Sequence, residues 1–293
     1  MCDKMAETDL SIFFIFSFLS LFFGIGRDIL SALCCSLFFH SMLSSSIVLV
    51  TGASAGIGEA CARVFSAAGA RCILMARRSE RLSELAASLP TPSRVVCCDV
   101  RNRTHVHQAI SSLEPEWSAI DFLINNAGLS RGLAALQDGN EDDWDEMIDT
   151  NVKGLLYVTK SLLPDMIQRG NGMIINIASV AGRQVYPKGN VYCASKHAVR
   201  ALSEGLQYDV LGTGVRVCNI DPGMVETEFS LVRFKGDAER AQQTYKGLRP
   251  LTALDVAETA LFCATRPPHV SIQDILLMPA DQASVHLAHR RTE

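Results

Sequence analysis

From Ile47 onward, apolar runs of four or five residues alternate with longer stretches in which apolar positions recur every three or four residues. Short runs rich in β-branched residues suit strands buried on both faces of a parallel sheet, and the longer stretches suit amphipathic helices. Strands are expected at Ile47–Val50, Cys72–Met75, Arg94–Cys98, Ile120–Ile124, Met173–Ile177, Val215–Ile220 and Asp274–Met278. Helices are expected from Gly58 to Ala68, over Leu82, Leu85 and Leu89, from near Thr104, and from Glu141 to Met147. Further helices should carry Asn151 and Lys153 toward Leu163, surround Tyr192, and run from Leu254 to Thr265. This alternation predicts one doubly wound α/β domain, a parallel sheet of about seven strands with helices on both faces. Residues 224–250 lack periodicity and are long for a plain connection, which predicts a flap over a substrate site.

The first forty residues follow a different pattern. Leu10–Gly26 and Ile29–Phe39 are uncharged apolar runs separated by Arg27 and Asp28. The first, about seventeen residues, stands at the lower limit for crossing a bilayer. Asp3, Glu7 and Asp9 occupy the place of the basic start of a signal peptide, and no small-residue cleavage site follows. The domain is therefore set at 44–293. Residues 1–43 are either a membrane anchor or a stretch upstream of a true start at Met42.

Composition narrows the function classes. A net charge of −4 argues against a nucleic-acid partner, which selects for a basic face. The ten cysteines include no Cys-x-x-Cys, and no His/Cys pair has zinc-finger spacing. They are expected to be reduced thiols of a cytoplasmic protein, tethered to a membrane if the anchor is genuine, and no metal site is expected. The acidic cluster beginning at Glu141 suits a helix start and is expected to be a solvated face.

Candidate chemistry collects at the strand ends. The first strand runs into Thr51-Gly52-Ala53-Ser54-Ala55-Gly56-Ile57-Gly58 and then a helix. Glycines there let the chain turn sharply, and the helix start offers free N–H groups to a phosphate. The second strand ends in Arg77 and Arg78, where an arginine accommodates the 2′-phosphate of NADP and an acid would hold the ribose of NAD. Asp99, after the third strand, either accepts from an adenine amine or caps the helix near Thr104. Asn125-Asn126-Ala127-Gly128 follows the fourth strand and can hold neighbouring strands while facing a cofactor. Tyr192 and Lys196 are four apart on a helix, so they share a face. An ammonium there should pull a phenol down from about 10 toward the working range.

Taken together, Thr51-Gly-x-x-x-Gly-x-Gly58, Asn125-Asn-Ala-Gly128, Asn151, Ser179, Tyr192-x-x-x-Lys196 and Pro222-Gly223 resemble the short-chain dehydrogenase/reductase family from about Ile47 to the end of the chain. The resemblance implies Tyr192 as acid/base, Ser179 as donor to the substrate oxygen, Lys196 as the group that lowers the tyrosine pKa and binds the nicotinamide ribose, and Asn151 as holder of a relay water. It implies cofactor contacts from Gly52, Ser54, Ala55, Gly56, Ile57 and Gly58, from Arg77, Arg78, Asp99 and Val100, and from Asn126 and Ala127. Tyr192, Lys196, Pro222, Gly223, Val225 and Thr227 complete that set. Ala76-Arg-Arg-x-Glu-Arg-Leu82, Asp99-Val-Arg-Asn-Arg103, Met147-Ile-Asp-Thr-Asn151 and the flap segment Thr227 to Asp237 are similar to the NADP-dependent 3-hydroxy acid (serine and L-allo-threonine) dehydrogenases. That likeness implies a homotetramer built on the long helices containing Asn151 and Tyr192. For the substrate carboxylate, charge and position point to Arg183 or Arg233. The alternatives are a broad carbonyl, lipid, steroid or retinoid reductase of the same family, and a non-catalytic NADP-binding regulator.

Overall fold

Seven short strands assemble in the order β3-β2-β1-β4-β5-β6-β7, every neighbouring pair parallel. The computed structural model describes residues 43–291; both readings of the N-terminal apolar runs concern residues outside that range. Leu43 itself belongs to the domain rather than to the extension. It is buried in the core and its N–H donates to Ala68 O at 3.0 Å. Among the described residues no helix is long and apolar enough to cross a membrane.

In chain order the elements are β1 (Ile47–Thr51), α1 (Gly56–Ala67), β2 (Arg71–Ala76), α2 (Ser79–Ser88), β3 (Ser93–Cys97), α3 (Arg103–Ser111), α4 (Pro115–Ser118) and β4 (Phe122–Asn125). There follow α5 (Glu141–Ile148), α6 (Leu155–Arg169), β5 (Gly172–Ile177), α7 (Asn190–Asp209), β6 (Val215–Pro222), α8 (Phe229–Arg233), α9 (Ala238–Gln243), α10 (Ala253–Ala264) and β7 (Asp274–Leu277). All five residues of β1 are buried, as expected of a central strand covered on both faces. Val48 and Val50 pack into one apolar layer with Phe65 of α1 and Val256 of α10. Ile47 and Leu49 point the other way, into a layer with Val106 of α3 and Val158, Leu162 and Met166 of α6. The period-2 alternation of a strand divides the core between the two faces.

Two expectations change in detail. The helix expected across Asn151 is interrupted by a π-turn, Asp149–Gly154, between α5 and α6. Gly154 belongs to that turn because a Cβ there would lie 2.7 Å from Val100 Cγ2, so the helix closes onto the end of β3 only without a side chain. The flap is partly helical, folding as α8 and α9. The Tyr245 hydroxyl ties it down by donating to Val225 O and accepting from Ser230 Oγ, each at 2.9 Å.

Candidate active site

The C-terminal strand ends and the flap enclose a cavity of about 490 Å³. Its floor is the β1–α1 turn. Gly52 and Gly56 adopt φ of 66° and 57°, the left-handed region that side chains disfavour. No side chain caps the start of α1 at Ala55, so its first N–H groups remain for a ligand. Gly52, Ser54, Ala55, Gly56 and Ile57 line the cavity, but Gly58 does not. Gly58 serves packing instead: a Cβ there would lie 2.4 Å from Gly52 O and 2.5 Å from Asn126 Nδ2. Thr51 Oγ1 accepts from the N–H groups of Asn126 and Ala127, and Asn126 Nδ2 donates back to Thr51 O, each at 3.0 Å. Asn125 turns inward, donating to Thr159 Oγ1 and Asn176 Oδ1 at 2.9 Å each, so of the two amides only Asn126 faces the cavity.

Arg77 and Arg78 both reach this wall beyond the end of β2. Arg78 donates to Ser54 Oγ and Glu228, each at 3.0 Å. The carboxylate nearest Arg77, that of Glu146, is 3.9 Å away. A glycine cradle beside two guanidinium groups, with no acid at the end of β2, fits a dinucleotide bearing a 2′-phosphate. Asp99 and Val100 line the same end. Asp99 does not cap α3; the Asn102 side chain does, accepting from His105 N. Burial favours the neutral form of Asp99, but hydrogen bonds from Arg101 more than offset it and hold the carboxyl below its usual range. Pro222, Gly223, Val225 and Thr227 close the cavity from the β6 side, with Thr227 Cβ 3.3 Å from where a Gly56 Cβ would stand.

Ser179, Tyr192 and Lys196 share this cavity. Ser179 follows β5, and its Oγ accepts from Ala181 N at 3.1 Å, which leaves the hydroxyl hydrogen to donate elsewhere. Tyr192 is buried in the first turn of α7, its ring 5.6 Å from that of Phe229 in the flap. Lys196 is also buried and donates to Ile177 O at 3.0 Å. Burial draws its ammonium down to about 8, with Asp221 opposing. The expected lowering of the phenol is absent here. Burial pushes Tyr192 well above the usual phenol value, and the Ser179 hydroxyl beside it only partly offsets the rise.

The sequence model of the short chain dehydrogenase family matches residues 46–237. This chain belongs to that family. An NADP-dependent 3-hydroxy acid dehydrogenase, YdfG, of Escherichia coli K12 is 47% identical over 247 residues, 84% of this chain and 100% of the relative. A serine 3-dehydrogenase of Agrobacterium fabrum is 42% identical over 239 residues, 82% of this chain and 96% of the relative. Among solved structures, the closed form of a serine dehydrogenase complexed with NADP+ is 46% identical, with a TM-score of 0.80, covering 84% of this chain and 100% of that one.

Within this short-chain dehydrogenase site, two expectations are corrected. Arg183 does not line the cavity. Its Nε bonds Asp221, a fully buried carboxylate, at 2.6 Å, and its Nη2 pairs with Asp274 at 2.5 Å, so the cation is spent on the fold. Asn151 does not line the cavity either. Its Nδ2 hydrogens go to Leu129 O at 2.9 Å and Ser195 Oγ at 3.0 Å, and its Oδ1 accepts from Leu129 N at 2.8 Å, so its amide hydrogens are taken while Oδ1 keeps a second lone pair able to accept from a water. The acidic stretch of α5 is not wholly solvated. Glu146 pairs with Arg131 at 2.6 Å and with Arg101 at 3.4 Å.

Arg233 does line the cavity. Its Nε donates to Gly132 O at 3.0 Å and its Nη2 to the Tyr186 hydroxyl at 2.9 Å. Among the described residues it is the cavity-lining arginine with no acidic partner; Arg77 and Arg78 each have one within 4.0 Å. Sequence pattern missed Phe229, Tyr186 and Gln282. Gln282 Oε1 accepts from Met224 N at 2.8 Å and pins the flap's root from beyond β7. No periodicity marks such residues: Tyr186 and Gln282 lie in irregular segments, and Phe229 opens a helix of five residues, too short to show a period.

Proposed function

We propose that the chain is an NADP-dependent oxidoreductase interconverting 3-hydroxy acids, of the serine, L-allo-threonine or 3-hydroxypropionate type, with their 3-oxo forms. One observation carries this choice of substrate. The guanidinium carbon of Arg233, a cation with no acidic partner among the described residues, lies 5.9 Å from the Tyr192 ring. A carboxylate held there stands close to an oxygen held by Tyr192 and Ser179, which suits a substrate whose acid group is two bonds from the reacting carbon. A hydrophobic ketone has nothing to offer that charge. The names of the 3-hydroxy acid and serine dehydrogenases to which the chain is similar support the same substrate class.

Gly52, Ser54, Ala55, Gly56, Ile57, Asn126 and Ala127 would hold the dinucleotide, Arg77 and Arg78 its 2′-phosphate, and Asp99 and Val100 its adenine end. Pro222, Gly223, Val225 and Thr227 would cover it. When bound, NADP(H) supplies or accepts the hydride. In the reducing direction Tyr192 gives its proton to the carbonyl oxygen. Burial keeps that phenol protonated at neutral pH, as a donor must be. Ser179 donates its free hydroxyl hydrogen to the same oxygen as negative charge develops there. Lys196, drawn to about 8, supports the transient phenolate and exchanges protons near neutral pH to restore it. Asn151 is a positioning residue: it locks Leu129 and Ser195, the neighbour of Lys196.

We further assign a cytoplasmic location, supported by free cysteines that are mostly buried, and a homotetramer joined through α6 and α7. Leu156 and Ile167 on α6 and Tyr208 on α7 stay exposed in one chain, which fits helices that pair.

A substrate panel followed by nicotinamide absorbance tests the proposal. Serine and 3-hydroxypropionate should turn over with NADP in preference to hydrophobic alcohols. Tyr192→Phe should still bind NADPH yet lose on the order of 10²-fold or more in kcat. Parent-like reduction by that variant would sink the mechanism.

A further inference from the structure

A second tyrosine stands beside the proton donor. Tyr186 lies between the 3₁₀ turn Val180–Gly182 and α7, and it forms part of the cavity wall. Its hydroxyl accepts from Arg233 Nη2 at 2.9 Å, and its ring centroid is 5.5 Å from that guanidinium carbon. The other side of the ring is pinned by a glycine: a Cβ on Gly189 would fall 2.1 Å from ring carbon Cε2. Gly189 N also donates to Tyr186 O at 3.1 Å, so backbone and ring are fixed together. Burial raises this phenol above its usual value against the pull of Arg233, so it keeps its proton at neutral pH. A hydroxyl that accepts one hydrogen bond still has its own hydrogen to donate.

We propose that Tyr186 is the second half of the substrate-carboxylate site, donating its O–H to one carboxylate oxygen while Arg233 donates N–H groups to the other. This rests on the acid substrate proposed above and deepens it. Arg233 supplies charge but is tied at Nε and at one Nη2 hydrogen, so its remaining hydrogens approach an anion from one side only. Tyr186, oriented by the bond it accepts, supplies the donor on the adjoining side. Two converging donors fix the direction of the carboxylate, and with it the distance of the reacting carbon from Tyr192. A lone guanidinium on a mobile side chain would hold the anion without aiming it. Tyr186 is thus a specificity residue that a cavity wall of similar shape but without a hydroxyl would not replace.

The test compares the parent, Tyr186→Phe and Arg233→Ala on a 3-hydroxy acid and its methyl ester. NADPH binding, followed by fluorescence titration, serves as the check of fold. Phenylalanine keeps the ring seated on Gly189 and removes the hydroxyl alone. The ratio of kcat/KM for acid over ester should fall about tenfold in Tyr186→Phe, the scale of one hydrogen bond to a charged group, with the loss in KM for the acid. Arg233→Ala should lower the ratio further. A Tyr186→Phe ratio equal to the parent's, with Arg233→Ala still losing it, overturns the role of Tyr186 and leaves the acid substrate standing. Equal losses on acid and ester in Tyr186→Phe also overturn it, because that is the mark of a packing residue. If Arg233→Ala keeps the parental ratio, the Arg233 site fails and Tyr186, its partner there, falls with it; a parent that shows no preference for the acid would sink the acid substrate itself.

Discussion

Lys196 should cost this protein stability at neutral pH, and the cost can be measured through its dependence on pH. The ammonium is 6% exposed and has Ile177 O as its hydrogen-bond acceptor. Burial lowers its pKa from 10.5 to about 8. The folded state therefore releases this proton near pH 8, and the unfolded chain releases it near 10.5. Between those values the unfolded chain holds more protons, so stability rises with pH. Below 8 both states are protonated and the penalty is present in full, roughly 3 kcal/mol for a difference of about 2.5 pH units. Lys196→Met keeps the length of the side chain and removes the titration. Urea unfolding of the parent and the variant at pH 7 and pH 10 gives two stability differences to compare. The parent should gain about 2.5 kcal/mol on the variant across that interval. The lost bond to Ile177 shifts both differences equally and leaves their change intact. A difference constant to within about 0.5 kcal/mol, or one that moves against the parent, would show that the lysine is not held in a desolvated charged state. Under the proposed mechanism the cost has a functional reason: an ammonium left in water would titrate near 10.5 and exchange few protons at the pH where Tyr192 is to be restored.

Two further outcomes follow from charges at the cavity and beside it. Replacing Arg77 by Asp and Arg78 by Ala should raise the KM for NADP far more than that for NAD, by about tenfold or more for a lost phosphate–guanidinium pair. Steady-state kinetics with both cofactors decides, and equal changes would refute a 2′-phosphate site there. Arg183→Ala should leave the preference for acid over ester intact and cost about 3 kcal/mol in urea unfolding, because it leaves Asp221 buried without its closest cation. A loss of acid preference in that variant would return Arg183 to the substrate site.

Strand order and chemistry divide unevenly between sequence and tertiary structure. Each of the seven strands was visible as a short apolar run, and each boundary fell within two residues, because burial on both faces leaves few polar residues inside a strand. The glycine turn, Arg77, Arg78, Ser179, Tyr192 and Lys196 were legible for a related reason: they sit at or near strand ends, or share one helix face, where chain geometry alone fixes their direction. Arg183 and Arg233 show where that reasoning stops. Both are arginines near the site, Arg183 just past a 3₁₀ turn and Arg233 at the end of the short helix α8, and nothing local separates them. Only the folded chain brings Asp221 and Asp274 to the first while placing no carboxylate beside the second. The phenol reversed its expected shift for the same cause. A lysine four residues away can be read from spacing, but the depth to which Tyr192 is buried depends on the flap laid over it from forty residues downstream. Local periodicity fixes direction along an element; solvent exclusion and charge pairing are set by segments distant in the chain, and these decide which side chains are free to act.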